Sequence, residues 1–195
     1  MTRSVFIKIS ALCILLFPLS VRTEGEDAVR TVVSRMASLN SFRASISITT
    51  PDGFLRGTLS FSGGRVHIAL SDGRVIAANG HQLFVYSPST QVLGRQDMVP
   101  GGGGLGWLLT GFRTRVTGRT AHLTAENPNA QIREVRLVWD DNFLLKSLSI
   151  RRGEDSTMTI ALSDIRRIEN FPANLFNYKA PPGSRTVENP LNQSN

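Results

Sequence analysis

The apolar residues of this chain change their spacing at residue 41, and that change constrains the fold more than any other feature. From Glu24 to Asn40 they recur at helical spacing, as Val29, Val32, Val33, Met36 and Leu39. From Ser41 onward the period is two, as in "SFRASISITT", in short runs separated by turn signals. This pattern predicts one amphipathic helix followed by a long series of β-strands.

Short turns separate the strand-like runs and leave almost no room for crossover helices. They include "PDG" at Pro51 to Gly53, Asp72-Gly73, Asn79-Gly80 and "GED" at Gly153 to Asp155. Parallel neighbours need long crossovers, so these turns indicate an antiparallel sheet. The expected fold is mainly β with helices (α+β): an open antiparallel sheet of about eleven strands. A sheet this long curls, and the N-terminal helix and a flap around Trp107 would lie over its concave face.

The first 23 residues are typical of a secretory signal peptide. Arg3 and Lys8 precede the apolar run "ISALCILLFPLSV", which is short for a bilayer span, and a polar "RTEGED" follows. An uncleaved membrane anchor is the alternative. The single cysteine, Cys13, lies inside this leader, so the exported chain would contain no disulfide. We expect a signal peptide at 1–23, one domain at 24–189 and a disordered tail at 190–195.

The charge of the chain is moderately basic. The net charge is +7, and three of the basic residues lie in the leader, which leaves about +4 for the rest. The arginines are spread singly along the strands, a pattern typical of a solvated surface. Nucleic-acid binding would require a basic stripe with interleaved aromatic residues, so it is not expected. A mild preference for anionic lipid surfaces remains open.

A glycine-rich stretch, "MVPGGGGLGWLLTGF", interrupts the strand pattern at the middle of the chain. It has no Gly-Lys-Ser/Thr ending, so a phosphate-binding P-loop is excluded. Two interpretations remain: a flexible loop before one turn of buried helix, or a mobile flap with an apolar underside. The residues expected to form such a lid are Val33, Met36, Trp107, Leu108, Leu109 and Phe112.

No enzyme or metal motif is present in the sequence. His67, His81 and His122 lie on different strands or strand edges without metal-ligand spacing, and no Gly-x-Ser-x-Gly elbow occurs. The acidic pairs Asp140-Asp141 and Glu154-Asp155 fall at expected turns, where aspartate favours the turn backbone. We therefore expect no catalytic residues, no bound metal and no cofactor.

The run Leu83 to Tyr86, "LFVY", places bulky apolar groups on both faces of one strand. Together with the alternating apolar residues of the other strands, it predicts an apolar cavity on the concave side of the sheet, as lipid sites require. An ordinary packed core is the alternative. The expected cavity residues are Ile46, Ile48, Leu59, Phe61, Ile68, Leu70, Phe84, Tyr86, Leu137 and Trp139.

Several short motifs occur in an order that resembles the periplasmic outer-membrane lipoprotein carrier family (LolA-like). The sequence has a "Ser-Phe-x-Ala" strand, a "Gly-x-Leu" strand, a "Ser-Asp-Gly-Arg" hairpin, a "Leu-x-x-Tyr-x-Pro" strand and an aromatic, proline-rich ending. The matching residues are Ser41, Phe42, Ala44, Gly57, Leu59, Ser71, Asp72, Gly73, Arg74, Leu83, Tyr86, Pro88, Phe176, Tyr178, Pro181, Pro182 and Gly183. The resemblance covers residues 24–189.

The resemblance implies an open antiparallel half-barrel whose concave face is capped by the N-terminal helix and short lid helices. It implies that this half-barrel binds lipoprotein acyl chains and carries them across the periplasm. It implies a chaperone for outer-membrane biogenesis, acting as a monomer with a transient inner-membrane donor transporter and an outer-membrane acceptor. One departure concerns the lid: the family's Arg-Pro after the Gly-x-Leu strand is linked to lid closure, and this chain has Gly63-Gly64 there, with Arg65 displaced by two residues.

Two other functions are compatible with the same pattern. One is a periplasmic sensor or lipid-binding interaction protein of the same fold that is not dedicated to lipoprotein transport. The other is an exported structural β-protein with a fully packed core and no lipid.

Overall fold

A single helix precedes the sheet in the computed structural model, which describes residues 24–98, 111–153, 156–172 and 174–190. Helix α1 spans Glu24–Ser38. It ends as the sequence predicts: the amide of Asn40 donates to the carbonyl of Ala37 at 2.9 Å, and Asn40 adopts a left-handed φ of 56°. Asparagine tolerates this conformation better than most residues, so it stops the helix and turns the chain into the first strand.

Twelve strands follow the helix. They are β1 (Ser41–Thr50), β2 (Gly53–Ser62), β3 (Arg65–Leu70), β4 (Val75–Ala78), β5 (Gln82–Ser87), β6 (Val92–Asp97), β7 (Phe112–Thr117), β8 (Thr120–Ala125), β9 (Glu134–Trp139), β10 (Leu145–Arg152), β11 (Ser156–Arg167) and β12 (Arg185–Glu188). The described helix is not long and apolar enough to cross a membrane.

All twelve strands belong to one open sheet in the order β12-β6-β5-β4-β3-β2-β1-β11-β10-β9-β8-β7. Strands β1 to β6 form one antiparallel meander and β7 to β11 form a second. The two meanders join where β1 pairs with β11. The predicted open antiparallel sheet is confirmed, except that it has twelve strands instead of about eleven and that β12 pairs with β6 in parallel. Short lid helices are not confirmed, since α1 is the one α-helix of the described ranges.

Strand β12 is the element that the sequence did not predict. Arg185–Glu188 follows the proline-rich stretch of the C-terminal part and pairs in parallel with β6. The side chains of Arg95 and Glu188 form an ion pair at 2.8 Å, and Asn189 accepts from the amide of Asp97 at 2.8 Å. These contacts fix the end of the chain to the edge of the first meander.

Local sequence accounts for the hairpins and for one close approach between strands. Gly73 has a φ of 81°, and Asp72 Oδ1 accepts from the amide of Arg74 at 3.1 Å, so the predicted Asp72-Gly73 turn is confirmed. At Gly57 a Cβ atom would collide with the carbonyl oxygen of Ala69 on β3. Glycine there allows β2 and β3 to pair without displacement.

Candidate functional site

One face of the sheet, which we call the inner face, carries apolar side chains in register across the first meander. Neighbouring strands place these residues directly opposite one another, and each is at most 6% exposed. The row consists of Ala44, Leu59, Ile68, Ile76 and Val85. Because directly opposed residues point to the same side of a sheet, the row is one continuous apolar strip over β1 to β5.

A second apolar row continues the inner face across the other meander. It runs from β1 to β7 through residues that are paired strand by strand. Its members are Ile48, Ile160, Leu148, Leu137, Ala121 and Val116. Both rows belong to one cluster of buried residues. The inner face is therefore apolar on every strand from β5 to β7, a much wider apolar surface than one pair of strands provides.

Helix α1 lies on this inner face. Its apolar stripe, Val29, Val32 and Met36, is 2–4% exposed and belongs to the same cluster. The helix leads directly into β1 and also contacts β7, so it crosses the second meander. Its length of about 22 Å matches the roughly 24 Å between those two strands. Helix α1 therefore spans the half of the inner face that lies between β1 and β7, and the inner-face side chains of β2 to β5, such as Ile68 and Ile76, are buried as well.

Eight of the ten residues expected to line the cavity lie together on the inner face. They are Ile46, Ile48, Leu59, Phe61, Ile68, Leu70, Leu137 and Trp139, all in the cluster that α1 covers or adjoins. The sequence did not single out other members of this surface, among them Phe42, Val66, Ile76, Leu123, Leu148 and Ile160. The alternating spacing of these residues along their strands is the sequence signal that could have identified them as inner-face residues. Whether this surface binds lipid stays a prediction.

Phe84 and Tyr86 were assigned to the wrong face. On β5 it is Leu83 and Val85 that join the inner cluster. Phe84 and Tyr86 point to the opposite, outer face, where they form a second cluster with Ala77 and Leu93. All four residues of "LFVY" are apolar, so alternation could not identify the inner pair. Val85 lies directly opposite Ile76 of β4, which is an inner-face residue, and this pairing places Val85 on the inner face.

The residues expected to form a lid lie in different parts of the structure. Met36 belongs to the inner cluster, whereas Val33 is half-buried and is not a member of that cluster. Phe112 is not a flap residue: it begins β7, is half-buried and packs against the inner cluster. The expected positions Trp107, Leu108 and Leu109 lie outside the described residues, so their role remains a prediction.

The segment between β11 and β12, residues 168–172 and 174–184, crosses the outer face, and we call it the C-terminal strap. The ring of Tyr178 lies 5.7 Å from that of Tyr86, and Ala180 also packs on this second cluster. Burial, followed by the proximity of Tyr86, raises the pKa of Tyr178. The strap therefore supplies the cover for the outer side of "LFVY".

Cationic side chains hold the strap at two aromatic rings. Arg65 stacks over Phe176, with the guanidinium carbon 4.8 Å from the ring centroid, and Phe176 is 1% exposed. Arg43 stacks over Phe171 at 5.4 Å. The displaced Arg65 thus faces the outer side and the strap. It does not lie against α1, so it cannot latch that helix as the family's arginine is said to latch a lid.

The polar residues of the site do not form a reactive cluster. Within the described ranges no group of three or more His, Cys, Asp or Glu side chains could hold a metal ion. An open groove of about 560 Å³ runs along the outward side of α1, and the residues that line it are of polar or charged types: Asp27, Arg30, Thr31, Ser34, Arg35 and Ser38. The apolar inner face is therefore the feature of this chain with the clearest binding chemistry.

Comparison with known proteins gives similarity of fold only. No protein-family model and no curated protein matches the sequence. An uncharacterised conserved protein from Thermus thermophilus is similar with a TM-score of 0.60 at 9% identity, covering 85% of this chain and 99% of that one. At this identity the similarity shows a shared fold.

A protein named for the LolA superfamily and one named for lipoprotein sorting also occur among the similar structures. A LolA-superfamily protein from Nitrosomonas europaea has a TM-score of 0.41 at 13% identity, covering 75% of this chain and 96% of that one. A putative outer-membrane lipoprotein-sorting protein domain from Vibrio parahaemolyticus has a TM-score of 0.41 at 10% identity, with coverages of 79% and 97%. The sequence motifs indicated this LolA-like resemblance.

Proposed function

We propose that this chain is a periplasmic carrier that binds acyl chains of lipoproteins on its inner face and shuttles them from the inner to the outer membrane. The observation that carries the proposal is the continuous apolar inner face from β5 to β7, which extends well beyond the half that α1 spans. The order of the sequence motifs, which resembles that of LolA-like carriers, supports the same function. No catalytic step is part of this proposal.

The energetics suit reversible carriage. Burial of an acyl chain contributes about 0.8 kcal/mol per methylene, so a sixteen-carbon chain gains on the order of 12 kcal/mol. Unaided crossing of water is therefore extremely slow. The three buried side chains of the α1 stripe contribute about 1.5–3 kcal/mol each, or roughly 5–9 kcal/mol together. An acyl chain can thus displace the helix from the inner face with a moderate net gain, which also permits release.

The hinge for this exchange is the connection between α1 and β1. Only Leu39 and Asn40 separate the helix from the strand, and Asn40 already adopts a left-handed conformation. Changes of backbone angle at these two residues would swing α1 away from the inner face while the sheet keeps its register. The polar side of α1 faces outward in this structure, so lifting the helix exposes only its apolar stripe and the surface beneath it.

Adjacent alanines on β4 provide a matched test of which face binds lipid. Ala78 belongs to the inner cluster and Ala77 to the outer cluster, and both are at most 3% exposed. Replacing either one by leucine overpacks its cluster by a similar volume, at a cost of about 1–3 kcal/mol. We expect Ala78→Leu to weaken binding of a fluorescent acyl probe, and Ala77→Leu to leave that binding unchanged.

Native mass spectrometry of protein purified without detergent completes the experiment. Bound phospholipid or acylated peptide should accompany the wild type and Ala77→Leu, and should be reduced in Ala78→Leu. A wild-type protein with no bound lipid and no affinity for the probe would indicate a packed core. Equal loss of lipid in both variants would show that stability, and not the inner face, governs binding.

A further inference from the structure

Arginines that are scattered in the sequence come together on the outer face of β7 to β9. Arg115 lies directly opposite His122, and His122 lies directly opposite Arg136. Three neighbouring strands therefore present basic side chains in one line over about 10 Å. Arg113 precedes Arg115 by two residues and points to the same face. All four side chains are exposed, and we call them the basic row.

The three arginines of the basic row are not neutralised by an ion pair within the described residues. Glu134 is the one carboxylate within β7, β8 and β9, and it forms an ion pair with Arg151 on β10. Among the described residues, no carboxylate lies within ion-pair distance of Arg113, Arg115 or Arg136. Arg115 and Arg136 lie on one face two strand spacings apart, about 10 Å, so their like charges repel each other and the row does not serve the stability of the fold. An external anion would relieve this repulsion.

We propose that the basic row docks the protein onto the surface of an anionic phospholipid bilayer. Arginine binds phosphate oxygens through two parallel hydrogen bonds, which matches a layer of phosphate headgroups. The outer face of these strands otherwise carries small polar residues, among them Thr117, Thr120 and Thr124. It has no Phe, Tyr or Trp side chain on which successive nucleic-acid bases could stack, and these are also the aromatic anchors that protein interfaces favour.

This docking surface is separate from the proposed acyl site. The basic row lies on the outer face, and the apolar rows lie on the inner face of the same strands. Docking is electrostatic, so salt should reverse it, whereas salt does not reverse the capture of an acyl chain in an apolar site. The two activities can therefore be distinguished in one assay.

The test is sedimentation with vesicles at low and at physiological ionic strength. Wild-type protein should bind vesicles of equimolar phosphatidylcholine and phosphatidylglycerol, and should not bind vesicles of phosphatidylcholine alone. Removal of one arginine should weaken binding about fivefold, and Arg115→Gln with Arg136→Gln roughly 25-fold, with a smaller dependence on salt. The control is Arg35→Gln with Arg185→Gln, which removes the same charge from exposed positions on α1 and β12.

Four results would overturn the docking surface. The first is no binding of the wild type to anionic vesicles. The second is an equal loss in the control, which would show an effect of net charge alone. The third is a salt-insensitive association that survives the arginine substitutions, which reflects acyl-chain capture. The fourth is binding to polyglutamate but not to vesicles through the same two arginines, which would assign the row to an acidic protein.

Discussion

The rings of Tyr86 and Tyr178 lie 5.7 Å apart, centroid to centroid, at an angle of 37°. Tyr86 belongs to β5 in the first meander, and Tyr178 belongs to the C-terminal strap, which reaches the outer face after β11. This contact explains why a strand in a sheet with a wide inner core has a second apolar side. The C-terminal strap packs on the outer side of β5, and the inner side of β5 is part of the candidate lipid surface.

Truncation of Tyr178 should therefore destabilise the protein without touching the inner face. We expect Tyr178→Ala to lower the free energy of unfolding by about 1–3 kcal/mol, through lost burial and the lost aromatic contact. Urea unfolding measures this. Lys179→Ala is the control, because Lys179 is exposed on the same segment. An effect no larger than that of the control would show that the strap does not stabilise the sheet.

His67 should make stability depend on pH. Burial and then the nearby charge of Arg43 lower its pKa below the ordinary value of 6.5. The unfolded chain consequently binds a proton more readily than the folded one, and stability falls as the pH decreases through 6.5 towards the lowered pKa. Below that lowered pKa the contribution no longer changes, because both states are protonated.

Two variants isolate this contribution. His67→Gln should flatten the dependence of the unfolding free energy on pH around and below 6.5, whereas His81→Gln at an exposed position should not. Urea unfolding at a series of pH values provides the measurement. An unchanged slope in His67→Gln would assign the pH dependence to other groups.

Adjacent valines on α1 test the competition between helix and acyl chain. Val32 is 2% exposed in the inner cluster, whereas Val33 is half-buried and outside it. We expect Val32→Ala to cost about 2 kcal/mol of stability and to raise the affinity for an acyl probe, because the helix then competes less well. Val33→Ala should have a smaller effect on both. If Val32→Ala weakened probe binding, α1 would contribute to the site and would not cover it.

Replacement of Gly57 should destabilise the protein, because β2 and β3 approach each other closely at this residue. A Cβ atom there collides with the backbone of Ala69, so Gly57→Ala should cost about 1–3 kcal/mol. Gly111→Ala is a suitable control, since a Cβ atom at Gly111 meets nothing within 4 Å. Thermal unfolding of the two variants provides the comparison. Equal melting temperatures would mean that the two strands can separate without cost.

The sequence predicted those elements that depend on local chemistry. The end of α1 at Asn40 and the Asp72-Gly73 hairpin follow from the backbone preferences of those residues, so they could be read directly. The inner-face residues of most strands followed from alternation, as with Ile46 and Ile48. These features need only neighbouring residues, which is why one sequence was sufficient.

The sequence did not predict features that depend on distant pairing. The strands paired with β5 and the strap determine the face to which Phe84 and Tyr86 point. Because all four residues of this strand are apolar, their pattern alone does not indicate which pair points inward. Strand β12 is only four residues long and pairs with a strand about ninety positions earlier. Arg115 and Arg136 looked isolated along the chain, and the register of β7, β8 and β9 aligns them.

The proposed activity is the transfer of acyl chains between membranes, and the rate of that transfer can be measured with vesicles. Donor vesicles containing a self-quenched acylated peptide are mixed with unlabelled acceptor vesicles, and dequenching is followed with and without the protein. We expect a transfer rate that rises in proportion to protein concentration, is retained in Ala77→Leu and falls in Ala78→Leu. A rate equal to that without protein would contradict it, even if the protein binds lipid, and would leave a binding or sensing role.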